Sequence, residues 1–311
     1  MRSHRRLAAL IVLSVCLAAL IGCTKQPPKE RPPVPPMEPP KTTTGPGTTT
    51  PAATTAEVSG ELQALVPCGV AGPYQELETL FLQQHPAVTL KPPVAKNITE
   101  LVDMAIKGAP GDVLMTMGDQ EMAKVEQAGQ LLAGTRAGVA QNALGLLVPA
   151  EGVKVTTWED LGKDPLPTVG LADPETNSSG YYTREALQKA GYWDKLEQAR
   201  KIVVAPQPSD LQPWVAGKKV DVALIYEPCA HEVAKGTENA QPKPSPKKAK
   251  LIGKVPQDLY PTFYFSAAVL KGTKNEAAAR ALVQFLSSPE ATVIWEKWSF
   301  GKPEAGGAAT P

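Results

Sequence analysis

Between residues 61 and 300 the chain switches repeatedly between short β-rich apolar runs and longer stretches whose apolar positions recur at helical spacing. The run 62–66 predicts a strand. It leads through Cys68-Gly69-Val70-Ala71-Gly72-Pro73 into a helix with Tyr74, Leu77, Leu80 and Phe81 on one face and Pro73 suited to the first turn. The same strand-then-helix alternation predicts a strand over 87–90 with a helix over 98–107, and a strand over 112–117 with a helix over 120–128. The pattern changes partner near 143–148. Strand 168–172 then precedes helix 181–190, strand 201–204 precedes a short helix over 209–216, and strand 220–226 precedes a further helix. Residues 241–250, with three prolines and four lysines, read as a surface loop. A strand over 262–270 and two helices, 275–286 and one from Pro289 to about Trp298 capped by Ser288, end the pattern. Such alternation predicts an α/β protein of two lobes, each a mostly parallel sheet with crossover helices, the chain passing between them more than once.

Outside this region the patterning is different. Arg2, Arg5 and Arg6 precede an apolar stretch from Leu7 to Ile21, short for a membrane span and typical of a secretory signal over residues 1–22. The stretch ends in Leu20-Ile21-Gly22-Cys23, which resembles the lipobox of bacterial lipoproteins; the resemblance implies that Cys23 is the lipidated mature N-terminus, palmitate among its acyl groups, and that the body faces the periplasm or the cell exterior. Residues 23–60, rich in Pro and Thr, cannot pack a core and read as an extended tether, and 301–311 as a frayed tail.

Charge and composition remove several functions. Thirty-two Lys and Arg against 31 Asp and Glu leave a formal charge of +1, and no basic run is interleaved with aromatics, which argues against nucleic acid as a partner. One long apolar stretch does not make a multi-span membrane protein. Four cysteines are too few for a disulfide-stapled or multi-zinc fold. No G-x-S-x-G elbow, P-loop, H-E-x-x-H or G-x-G-x-x-G is present, so neither an enzyme nor a resident cofactor is expected; Asp112, Asp119 and Glu121 read as part of a solvated face.

The stretch Lys107-Gly108-Ala109-Pro110-Gly111-Asp112-Val113 resembles the "GAP-x-D" segment of molybdate-binding proteins that serve ABC importers. The likeness continues through Gly170-Leu171-Ala172-Asp173-Pro174-Glu175, Tyr182-Thr183-Arg184-Glu185-Ala186-Leu187, Asp221-Val222-Ala223-Leu224-Ile225-Tyr226, Ser266-Ala267-Ala268-Val269-Leu270-Lys271-Gly272 and Phe285-Leu286-Ser287-Ser288-Pro289-Glu290-Ala291, in that order and spacing. It implies a monomeric, bilobal solute-binding protein of the periplasmic-binding-protein fold (type II) that closes by hinge motion on a small oxyanion and delivers it to an ABC permease. Lobe one is expected at 61–142 and 261–300, lobe two at 143–260.

A dianion held between lobes needs convergent donors, and backbone N–H groups at helix N-termini supply them without full cations. The resemblance implies hydroxyls and amides from two loops of lobe one, amides from lobe two and a tyrosine hydroxyl. That makes Gly69, Val70, Thr99, Thr116, Ser178, Ser179 and Tyr226 the candidate ligands. Gly69 stands where the family has a serine, and the second serine position falls near Asn97, Ile98 and Thr99. By the same resemblance Cys68 lies in the first cleft loop and Cys229 three residues after Tyr226. Two thiols in an oxidising compartment can form a disulfide, pack as small core residues, or, with His231, Met117 or Glu227, bind a soft metal such as Cu(I) or Zn(II).

Overall fold

All four residues of the strand Ala64–Pro67 (β2) are buried, and they alternate between two apolar clusters, Ala64 and Val66 in one and Leu65 in the other. The strand Val113–Thr116 (β5) behaves likewise, with Val113 and Met115 facing one cluster and Leu114 the other. A strand apolar on both faces must lie inside a sheet covered on both sides. The computed structural model, which describes residues 58–230 and 248–303, has two such sheets.

The first sheet has the order β4-β2-β5-β12-β6, with β4 at Val94–Lys96, β6 at Ala137–Asn142 and β12 at Phe263–Val269. Its pairings β2–β4 and β2–β5 are parallel, and Leu65 stands opposite both Val94 and Leu114; β12 runs antiparallel to β5 and β6, with Ser266 opposite Thr116. Helices α1 (Ala71–Gln84), α2 (Ile98–Ile106) and α3 (Asp119–Gln127) follow its strands. The second sheet has the order β11-β7-β10-β8-β9, with β7 at Leu144–Pro149, β8 at Val169–Ala172, β9 at Ile202–Ala205, β10 at Val222–Tyr226 and β11 at Ala249–Lys254. There β8 pairs parallel with β9 and β10, while β7 runs antiparallel to β10 and β11. Helices α4 (Ser178–Lys189), α5 (Trp193–Gln198) and α6 (Leu211–Ala216) belong to this half. The C-terminal helices α7 (Glu276–Leu286) and α8 (Pro289–Lys297) follow β12, and a two-stranded ladder joins β1 (Gly60–Leu62) to β3 (Val88–Leu90).

Each sheet is therefore mixed, two pairings parallel and two antiparallel. The parallel pairs come from strand–helix–strand units. The antiparallel ones involve β7 and β12, the strands that begin just after the chain has passed from one sheet to the other. One passage is the single residue Ala143, between β6 and β7; the other runs from β11 to β12. Both are tied down at the same place: the Tyr260 hydroxyl accepts from Leu144 N at 3.1 Å, Val255 N donates to Leu144 O at 2.9 Å and Glu227 N to Ala143 O at 2.7 Å.

The sequence pattern missed β4, β6, α5 and most of β11, and placed a loop over 241–250 where Ala249 already pairs with Pro149. The remainder of that loop, 241–247, lies outside the described residues, as do the expected signal segment, Cys23, most of the tether, His231 and the tail from residue 304. Among the described residues no helix is long and apolar enough to cross a membrane.

Candidate functional site

The C-terminal ends of the strands and the N-terminal ends of the helices that follow them face one another around a cavity of about 390 Å³. Pro67 and Cys68 at the end of β2, Gly69, Ala71 and Gly72 entering α1, Asn97 and Ile98 entering α2, and Met117 after β5 form one wall. The other is built from Asn177 and Ser179 at the start of α4, Pro208, Ser209 and Gln212 at the start of α6, Ile225 and Tyr226 ending β10, and Cys229; Trp298 after α8 completes it. None of these side chains carries a formal charge.

Local chemistry explains why the helices begin here. Asn97 caps α2, its side chain accepting from Glu100 N at 2.9 Å. Asn177 caps α4, its Oδ1 accepting from Ser179 N at 2.9 Å and from the Ser179 hydroxyl at 2.6 Å. Each cap satisfies one or two of the donors a helix start leaves open, and the other first-turn N–H groups keep the positive end of the helix dipole directed at the cavity. Val70 precedes α1 without a side-chain cap, so that helix start depends on other acceptors.

Tyr226 is the least satisfied group in the wall. It is 7% exposed, and its hydroxyl has no hydrogen-bond partner among the described residues. Burial raises its pKa well above 10, with the Glu121 carboxylate, Tyr182 and Cys229 adding to the rise and the nearby Ser178 hydroxyl working against it. It is therefore a neutral O–H donor over the physiological range, set in the cavity wall.

Gly69 explains its own departure from a serine. A Cβ placed there would stand 2.9 Å from Cys229 Sγ and 3.7 Å from Met117 Sδ, so a side chain at this position would have to displace the Cys229 thiol. Gly118 marks a second close approach: a Cβ there would fall 2.4 Å from Ser178 Cβ and 3.0 Å from the Tyr226 hydroxyl.

Of the residues expected from sequence, Gly69, Ser179 and Tyr226 meet at the cavity. The Val70 side chain is wholly buried in the core beneath it. Thr99 is exposed and lies off the wall, where Asn97 and Ile98 stand instead. Thr116 is buried and spends its hydroxyl on Gly118 O at 2.9 Å. Ser178 lies behind the wall: Gln120 N donates to its Oγ at 3.0 Å, and its own N–H and hydroxyl go to the two oxygens of Glu121. Cys68 and Cys229 both line the cavity as thiols, not a disulfide. Among the described residues no three His, Cys, Asp or Glu side chains come together as a metal site. Sequence reasoning missed Gln212 and Trp298 as wall residues, and took Glu121 for a solvated group although it is 2% exposed.

Comparison with known proteins places this arrangement among relatives. A family model described as bacterial extracellular solute-binding protein matches residues 62–301. The molybdate-binding protein ModA of Rhodobacter capsulatus is 27% identical over 244 residues, covering 78% of this chain and 88% of its own length. Two solved structures share the fold. The periplasmic molybdate-binding protein of Azotobacter vinelandii is 19% identical with a TM-score of 0.60, covering 78% of this chain and 100% of that one. The sulfate-binding protein SubI of Mycobacterium tuberculosis is 14% identical with a TM-score of 0.59, covering 77% and 86%.

Proposed function

Because the chain belongs to the bacterial extracellular solute-binding protein family, we propose that it captures a small oxyanion of the molybdate or sulfate kind and hands it to an ABC permease. The observation that carries this reading is the buried Tyr226 hydroxyl, a neutral donor without an acceptor, set in an uncharged wall where α1, α2 and α4 all begin. Neutral donors and helix dipoles stabilise an anion without a counter-cation that would have to be stripped of water first. They also leave the solute easier to release than an ion pair would.

In this reading Gly69 offers its backbone N–H from the first half and Tyr226 donates its hydroxyl from the second, while Ser179, whose amide and hydroxyl both go to Asn177, fixes the start of α4 at the cavity. Asn97 and Asn177, already committed as caps, hold the two helix starts in position. The lobes, 61–142 with 261–300 and 143–260, move about the two passages at Ala143 and Val255 and close on the solute. Cys23 carries the lipid and the Pro/Thr-rich segment lets the body reach its permease. Molybdate is favoured over sulfate by the named relatives that align over most of the chain.

Thermal unfolding of the purified protein with molybdate, tungstate, sulfate, phosphate, Zn(II) and Cu(I) tests the proposal. A ligand at a hundred times its dissociation constant adds about 2.7 kcal/mol, which raises Tm by about 5–10 °C for a fold of this size. Stabilisation by an oxyanion is the expected result. Stabilisation by a metal alone, or by none of the six, overturns it.

A further inference from the structure

Directly behind the cavity wall hydrogen bonds join the two halves to each other. Glu121, in the first turn of α3, reaches across to the first turn of α4. Its carboxylate accepts from Ser178 N at 2.9 Å and, through the other oxygen, from the Ser178 hydroxyl. Three flanking bonds cross the same seam: Gln120 N to Ser178 Oγ at 3.0 Å, Lys124 Nζ to Thr176 O at 2.9 Å, and the Tyr182 hydroxyl to Asp119 Oδ2 at 3.1 Å. Glu121 is itself 2% exposed, and the cation that acts on its charge is Lys124, on its own helix.

A carboxylate at a helix N-terminus takes the stabilisation that the helix would otherwise give to a bound anion. From the oxyanion reading above, on which this step rests, we infer that Glu121 is a specificity-determining residue: an internal anion that occupies the start of α4, ties the two halves together, and disfavours solutes of high negative charge. A solute dianion at Tyr226 would face this second negative charge, which already acts on the Tyr226 phenol, and one unit charge nearby changes affinity by roughly tenfold or more. The protein thereby weakens its grip on any dianion unless Glu121 takes up a proton, so anion binding is coupled to proton uptake.

The surroundings of the carboxylate agree. Burial pushes its pKa up, and the Ser178 hydrogen bonds and Lys124 only partly oppose this. The other groups around it are Asp119 and Lys124 on α3, Arg136 paired to Asp119 at 2.8 Å, Tyr182 on α4 and Tyr226 on β10. Of these, Asp119 is already answered by Arg136, and both tyrosines are pushed upward, so neither adds negative charge near neutrality.

The full chain, Glu121→Gln and Glu121→Ala decide the matter in two measurements. The first is the radius of gyration by X-ray scattering without solute. Removing the carboxylate in Glu121→Ala is expected to expand the molecule; an unchanged radius overturns the latch. The second is titration calorimetry with molybdate in buffers of different ionisation enthalpy. Glu121→Gln, which keeps an acceptor for Ser178 but not the charge, is expected to bind at least tenfold more tightly and to lose the proton uptake seen with the native chain. Equal affinity with equal proton uptake overturns the charge coupling. If neither protein binds molybdate, tungstate or sulfate, the oxyanion reading fails instead, and scattering still decides whether Glu121 holds the halves together.

Discussion

Replacing Tyr226 by phenylalanine should act in opposite directions on stability and on binding. The hydroxyl is buried without a hydrogen-bond partner among the described residues, and an unsatisfied buried polar group of this kind costs about 1–3 kcal/mol. Phenylalanine fills the same space, keeps the tilted contact with Phe263, whose ring centre lies 5.9 Å away, and carries no orphan. For a fold of this size about 1 kcal/mol corresponds to roughly 2–4 °C in Tm, so Tyr226→Phe is expected to unfold several degrees higher than the native chain without solute. With oxyanion present the sign reverses, because a hydrogen bond to a charged acceptor contributes about 1.5–3 kcal/mol, and its loss weakens affinity about ten- to 150-fold. Scanning calorimetry without solute and titration calorimetry with molybdate measure the two halves. Since the phenol is held well above its ordinary pKa by burial first and the Glu121 carboxylate second, the affinity ratio between the two proteins should stay constant into mildly alkaline solution. A variant that is less stable when empty, or that binds within twofold of the native chain, would refute the argument that this hydroxyl waits for a solute.

Two further outcomes follow from the same geometry. A Cβ at Gly180 would lie 2.2 Å from the carbonyl oxygen of Ala172, a backbone atom of β8 with no freedom to yield; Gly180→Ala should lower Tm by several degrees through overpacking and weaken solute binding as well, because α4 carries Ser179 with it. Glu121 has a raised pKa when folded, so the native state binds more protons than the unfolded chain, and its contribution to stability is present below the unfolded carboxylate value and lost as pH rises through the raised one. The Tm of Glu121→Gln should therefore match that of the native protein in acid and exceed it increasingly toward neutrality; a difference independent of pH would contradict the assignment.

Much of the fold was legible because the strands and helices that matter are buried on a regular period. Tyr74, Leu77 and Phe81 recur on one face and are buried together, and β2, β5 and β10 are buried throughout and almost wholly apolar. The elements that escaped lack that contrast. β6 is built of Ala, Gly, Val and two amides, which favour no conformation strongly, and the partly exposed β11 follows a Pro- and Lys-rich stretch that masks its start. At the site, Tyr226 and Ser179 could be found because the family resemblance points to a tyrosine that ends a strand and a hydroxyl that begins a helix. Thr99 was drawn in by its neighbours and points away, since a helix start presents successive residues in different directions. Glu121 could not be read at all: acids at helical spacing ordinarily face water, and only the approach of Gly118 to Ser178 across the seam buries this one. Long-range placement of that kind has no signature in local pattern, and the same is true of Trp298 and Gln212.

Trp298 gives the cavity a dependence on the order of synthesis. It stands beyond the last helix yet contributes to a wall begun at Pro67, and a Cβ on Gly72 would lie 2.5 Å from its ring. A nascent chain emerging N-terminus first can assemble the second sheet, whose strands end at Lys254, long before this indole arrives. Solute capture is consequently the last property the polypeptide acquires, and a fragment ending short of Trp298 could hold a well-ordered half yet have no complete receptacle.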